Sequence, residues 1–190
     1  MEQLSKKFTI RRIGSFLNHK AEFDIKGVGH DFQAHAYEVE GFVSKIANFT
    51  VLRGLLPLKI VVQKPNGENF FVFERPGNWV FRGEIFVKDP SGRLIAKLRD
   101  GFFKRIIRIE TPLNQIKAIV KVESSGWNCF SKRKYRIVDA VERKQVGQFF
   151  WKGGVISQAH HCELEVDNDE LLIITSLATA ISICLYLIRK

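Results

Sequence analysis

A mostly-β fold ending in one apolar helix is what this sequence predicts, from three observations. Sixteen Phe against a single Met, with abundant Val and Ile, favour pleated surfaces over helical bundles. Between residues 6 and 151, short apolar or alternating runs are punctuated by turn residues, the pattern of an antiparallel meander. The chain then changes character, because residues 171–188 carry no charge at all. With 190 residues, 45% of them apolar and 26% charged, residues 1–190 make one domain that buries enough surface to offset chain entropy. Extended disorder is excluded on the same grounds.

The elements follow in order. The N-terminal stretch carries Lys6, Lys7, Arg11 and Arg12 and lacks the apolar run of a secretory leader. Residues 58–63 and 69–73 flank Pro65-Asn66-Gly67, and residues 79–88 and 93–97 flank Pro90-Ser91-Gly92. Proline presets φ and glycine accepts a positive φ, so each pair reads as a hairpin. Further strands are expected over residues 105–110, 117–123, 134–139 and 145–151, joined by Ser124-Ser125-Gly126 and by residues 141–144. In the second of these, Ala118, Val120 and Val122 point one way and Lys117, Lys121 and Glu123 the other, as a half-buried strand requires. About ten to twelve strands are too many for one small open sheet and suit a closed barrel or a two-sheet sandwich.

Residues 171–188 form a helix, with Asp167, Asp169 and Glu170 before it and Arg189 and Lys190 after it, a charge order that suits the helix dipole. Its length of about 27 Å is slightly less than a hydrocarbon core of about 30 Å. A membrane span and a helix buried on all sides in protein both produce such a run. Sending Arg189 and Lys190 across a membrane runs against the positive-inside tendency, which favours burial.

Three stretches together resemble the phospholipid scramblase family and the LURP-one-related proteins, whose fold is that of the tubby C-terminal domain. The first runs from Pro57-Leu58-Lys59-Ile60-Val61-Val62 through Asn66-Gly67 to Phe73-Glu74-Arg75-Pro76, and the second is the hairpin at Pro90-Ser91-Gly92. The third runs from Tyr135-Arg136-Ile137 through Val146-Gly147-Gln148 to Trp151-Lys152-Gly153, and an acidic linker and the apolar helix follow it. The similarity covers residues 38–190 in the same order. It implies a closed antiparallel barrel of about twelve strands around the C-terminal helix. Leu171, Leu172, Ile174, Leu177, Ile181, Leu185 and Ile188 would then fill that barrel. It also implies an intracellular protein that binds anionic phospholipid or phosphoinositide membranes, with phospholipid scrambling as an activity of the family. The chain departs from the family in having no N-terminal cysteine cluster and no aspartate-rich segment before the helix. No acyl anchor, no calcium ligand and no other cofactor is therefore expected.

The formal charge of +10 favours anionic partners. Arg99, Lys104, Arg105 and Arg108 form one candidate lipid-binding cluster, and Lys132, Arg133, Lys134 and Arg136 another. Each such group near an anionic leaflet contributes about 1 kcal/mol. Phe102 and Phe103 offer an apolar wedge beside the first cluster. Nucleic acid is a less favoured partner: Arg99-Asp100-Gly101-Phe102-Phe103 is similar to an RNA-recognition strand, but Asp100 stands where a basic residue belongs. A scaffold that meets other proteins is the remaining alternative.

No phosphate loop, nucleophile elbow, zinc-protease signature or paired-carboxylate motif is present, so no catalytic residue is assigned and bond-breaking catalysis is not expected. His160 and Cys162 would share a strand face, a weak candidate for a metal that lacks a second ligand pair. Three cysteines, Cys129, Cys162 and Cys184, without a CxxC pair fit a reducing compartment, and the lipid-binding reading places the protein in the cytoplasm, peripheral at the inner face of a membrane.

Overall fold

The computed structural model describes residues 5–13, 21–39, 57–76, 84–101, 106–124, 133–152 and 161–188. Twelve strands follow one another: β1 Ser5–Ile13, β2 Glu22–Val28, β3 Gln33–Glu38, β4 Leu58–Gln63, β5 Asn69–Arg75 and β6 Glu84–Lys88 form the first half. The second half is β7 Leu94–Gly101, β8 Ile106–Glu110, β9 Ile116–Ser124, β10 Arg133–Asp139, β11 Gln145–Lys152 and β12 His161–Asp167, followed by helix α1, Glu170–Ile188. Each strand pairs antiparallel with the next, and β1 pairs with β12 to close the barrel. Closure leaves no free edge.

Alternation decides which side chains face inward. Phe8 and Ile10 of β1, Phe23 and Ile25 of β2, Ile60 and Val62 of β4, and Phe71 and Phe73 of β5 are all buried. Leu98, Ile109, Val120, Ile137 and Phe149 continue this lining around the wall. The remaining interior is filled by α1, where Leu172, Ile174, Leu177, Ile181 and Leu185 are buried together with Ala178, Ala180 and Cys184. The helix packs against β12 and also against β7 on the far side of the barrel. An environment that is apolar in every direction explains why the helix has no polar stripe. Leu171 is partly buried against the core, whereas the side chain of Ile188 lies outside the described residues. Among the described residues no helix is long and apolar enough to cross a membrane.

Three hydroxyls of α1 bond their own helix, whereas the buried Ser176 Oγ has no hydrogen-bond partner among the described residues. Thr175 and Thr179 donate to the carbonyls of Leu171 and Thr175 at 2.7 Å, and Ser182 donates to that of Ala178 at 2.6 Å. A hydroxyl that bonds its own preceding turn enters an apolar interior without an unpaired donor. At the start of α1 the Asp169 carboxylate accepts the Leu172 N–H at 2.8 Å, an N-cap that satisfies one of the orphan donors.

One segment differs from the sequence reading. Residues 161–167, read as part of an acidic linker, form the strand that closes the barrel, with Cys162, Leu164 and Val166 inward. Its partner is β1, and Lys7 lies 3.6 Å from Glu165 across the seam. Charged residues on the outer face of β12 had hidden its period-two apolar pattern.

Gly147 of β11 faces inward where there is no room for a side chain. A Cβ there would stand 2.8 Å from the Glu165 carbonyl oxygen and 3.1 Å from Ile137 Cδ1.

Candidate binding groove on the outer wall

Antiparallel register brings the outward side chains of β7 to β10 into neighbouring rows. Arg99 stands opposite Arg108, and Lys121 stands opposite Ile106 on one side and Arg136 on the other. Strand pairing thus gathers Arg99, Arg108, Lys134 and Arg136 from the two sequence clusters onto one wall. Lys104, Arg105, Lys132 and the pair Phe102 and Phe103 lie outside the described residues. Arg133 belongs to the inward row of β10 with Tyr135 and hydrogen-bonds to that tyrosine.

The cations on this wall are not equivalent. Arg99 Nε lies 2.9 Å from Glu84 and its Nη1 3.4 Å from the buried carboxylate of Glu110, so it is clamped between two strands. Lys134 lies 2.9 Å from Glu123, and Arg136 pairs with the same carboxylate. The Lys134 hydrogen bond holds the Glu123 carboxyl below the usual carboxylate range against the opposing effect of burial, and the Arg136 charge assists. Arg108 and Lys121 are exposed.

Between β9 and β10 the wall carries a groove of about 600 Å³ that reaches the β10–β11 turn. Ile119 and Val138 give it an apolar floor, and Lys121, Arg136 and Arg143 supply its cations. Its acids are Glu123 and Asp139, and both are engaged. Glu123 holds Lys134 and Arg136, while Asp139 Oδ1 accepts the N–H groups of Val141 and Glu142 at 2.8 Å each. Those backbone bonds hold the Asp139 carboxyl below its usual range. Arg143 adopts φ 56°, the left-handed region that costs a residue with a Cβ about 1 kcal/mol relative to glycine. Among the described residues, the other positions that adopt positive φ are Gly29, Gly67, Gly92 and Asn114, residues that tolerate that region better than arginine does. An arginine kept where glycine is easier places a guanidinium at the groove mouth.

Lys121 was legible as outward-facing from the alternation of β9, but Arg143 was not legible, because a four-residue connector carries no periodicity. Of the two weak metal candidates, His160 lies outside the described residues and Cys162 points into the core. The Cys162 thiol contacts that of Cys184, and this contact together with burial pushes its pKa well up, which suits an inert structural thiol. Among the described residues no group of three His, Cys, Asp or Glu side chains comes together to hold a metal.

Compared with protein-family models, curated proteins and solved structures, the chain matches none.

Proposed function

We propose that this protein is a scramblase-like, LURP-one-related membrane-binding module that holds anionic phospholipid headgroups in the β9–β10 groove. The carrying observation is the groove itself, with Lys121, Arg136 and Arg143 over an apolar floor and both of its carboxylates already engaged. A phosphate entering it meets Lys121 and Arg143, and Arg136, which it shares with Glu123, while acyl or glycerol carbons meet Ile119 and Val138. The resemblance of three ordered stretches to phospholipid scramblases points to the same ligand class. Burial of α1 inside the barrel favours headgroup binding over transbilayer movement, since a helix that fills the barrel is not available to disturb a bilayer.

The test is co-sedimentation with phosphatidylcholine vesicles, with and without phosphatidylserine or a phosphoinositide, at low and high salt. Binding to the anionic vesicles alone, weakened by salt, is expected. Lys121→Ala with Arg143→Gly should weaken it roughly 30-fold, at about 1 kcal/mol per cation. Arg143→Gly alone should raise stability by about 0.5–1 kcal/mol, because it relieves the positive φ while removing a ligand contact. Equal binding to neutral vesicles defeats the proposal, and tighter binding to single-stranded RNA than to any vesicle replaces it with the nucleic-acid reading.

A further inference from the structure

Three hairpin turns are built on one template. In residues 64–68, 89–93 and 111–115, the first N–H donates to the fifth carbonyl at 2.9 Å and the fourth N–H donates to the first carbonyl at 2.9 Å. Proline occupies the second position of each, and the fourth is left-handed, held by Gly67, Gly92 and Asn114. The third position is the tip. Asn66 and Ser91 use their tips for local bonds, Asn66 accepting the Glu68 N–H at 3.0 Å and Ser91 donating to Asp89 at 2.6 Å. The third turn has Leu113 there, 80% exposed. The template is satisfied by polar residues elsewhere, so turn geometry does not call for this leucine.

Val141, at the tip of the β10–β11 turn, is 85% exposed. The β8–β9 and β10–β11 turns lie at the same end of the barrel, since β8 and β10 run parallel to each other on either side of β9. Ala140 N–H donates to the Lys117 carbonyl at 3.0 Å and joins the two hairpins. Ile116, 39% exposed, adds apolar surface beside them. Beside these two turns the charge is mainly positive, whereas the β12–α1 connection at the same end carries Asp167, Asp169 and Glu170. Lys97 donates to Asn114 at 2.7 Å, and Lys117, Arg143 and Lys144 flank the tips, against Asp139, which caps its own turn, and Glu142. The β9–β10 groove opens at this end, because Asp139, Ala140 and Arg143 of the turn line it.

We infer that Leu113 and Val141 insert between lipid headgroups, so that the barrel docks on an anionic bilayer by its β8–β9 and β10–β11 turn end. This rests on the headgroup reading of the groove and adds the apolar anchor and the orientation. Two exposed aliphatic tips with Lys97, Lys117, Arg143 and Lys144 on their own side of this end are complementary to a surface with anionic headgroups above hydrocarbon, met with the β12–α1 connection tilted away. Docked in this way, the groove mouth faces the headgroup layer, and a phosphate reaches Arg143 from the membrane side.

The experiment compares the full chain with Leu113→Ser/Val141→Ser, on phosphatidylserine-containing vesicles and on the soluble probe inositol hexakisphosphate. Each lost aliphatic contact should cost roughly tenfold on vesicles, and binding of the soluble probe should be unchanged. A second readout uses Leu113→Cys in a Cys129→Ser background, labelled with an environment-sensitive fluorophore. A blue shift and quenching by brominated lipid are expected. If wild type binds anionic vesicles, Lys121→Ala/Arg143→Gly weakens it and the tip variant binds unchanged with no blue shift, insertion is overturned and the groove reading stands. If wild type shows no preference for anionic vesicles, the groove reading fails first and takes the inference with it.

Discussion

The inner and outer surfaces of this barrel are built from the same strands but respond differently to change. Inside, Phe, Ile, Leu and Val from the strands close around α1, and each side chain is packed on every side. Outside, the wall carries ion pairs between neighbouring strands, from Lys59–Glu74 on β4 and β5 to Glu123–Arg136 on β9 and β10. The interior is held by area removed from water and by the absence of space, the exterior by charge pairs that water and salt weaken. The difference teaches that stability resides within the barrel, which leaves the wall free to carry a ligand.

The largest effect should come from removing the filling. A chain ending at Asp169 loses seven buried Leu and Ile side chains, roughly 1.5–3 kcal/mol each. That sum is as large as the roughly 5–15 kcal/mol by which domains are stable. Calorimetry should show no cooperative transition, and a cooperative melt in the truncated chain would break the comparison at its root.

Single glycines sharpen it at an intermediate scale. Gly147→Ala pushes a methyl against the β12 backbone and should cost about 1–3 kcal/mol in chemical denaturation. Gly67→Ala meets no atom within 4 Å and should cost about 1 kcal/mol, through its positive φ of 82° alone. Equal losses at both sites would mean that interior space is not the limiting quantity.

The smallest effect belongs to the wall. Glu74 accepts from Lys88 and lies 3.0 Å from Lys59, and the Lys88 hydrogen bond holds its carboxyl below the usual carboxylate range against partial burial. A folded pKa below the unfolded one contributes stability that is present at neutral pH and lost as pH falls through the folded value. The melting temperature should therefore fall on acidification below about pH 4.5, the ordinary value for this carboxyl. Lys88→Met should lower neutral-pH stability by about 0.5–1 kcal/mol and flatten that part of the acid limb. An acid limb identical in the variant would show that the pair contributes nothing measurable.

Much of the barrel was legible before any coordinates. Pro65-Asn66-Gly67 and Pro90-Ser91-Gly92 announced their hairpins, because proline and glycine restrict the backbone locally. The alternation of β9 placed Lys121 outward for the same reason of local geometry. β12 was hidden, because Glu163, Glu165 and Asp167 made a strand look like an acidic linker while Cys162, Leu164 and Val166 carried the inward pattern. The two basic clusters were visible as composition, but their pairing was not. Glu84 is remote in sequence from Arg99, and Glu123 from Arg136.

What the sequence determined by itself was the local vocabulary: strands, turns, an apolar helix and an excess of positive charge. These follow from neighbouring residues, through φ restriction, side-chain alternation and net charge. Tertiary structure alone decided that β1 meets β12 and that residues 171–188 sit within the protein's own barrel. It also decided that Glu123 and Asp139 of the groove are engaged by Lys134, Arg136 and turn amides, and that Leu113 and Val141 stand at one end. The first two depend on closure, which matches strands more than a hundred residues apart, and the last two on the register between neighbouring strands, and no single segment encodes either.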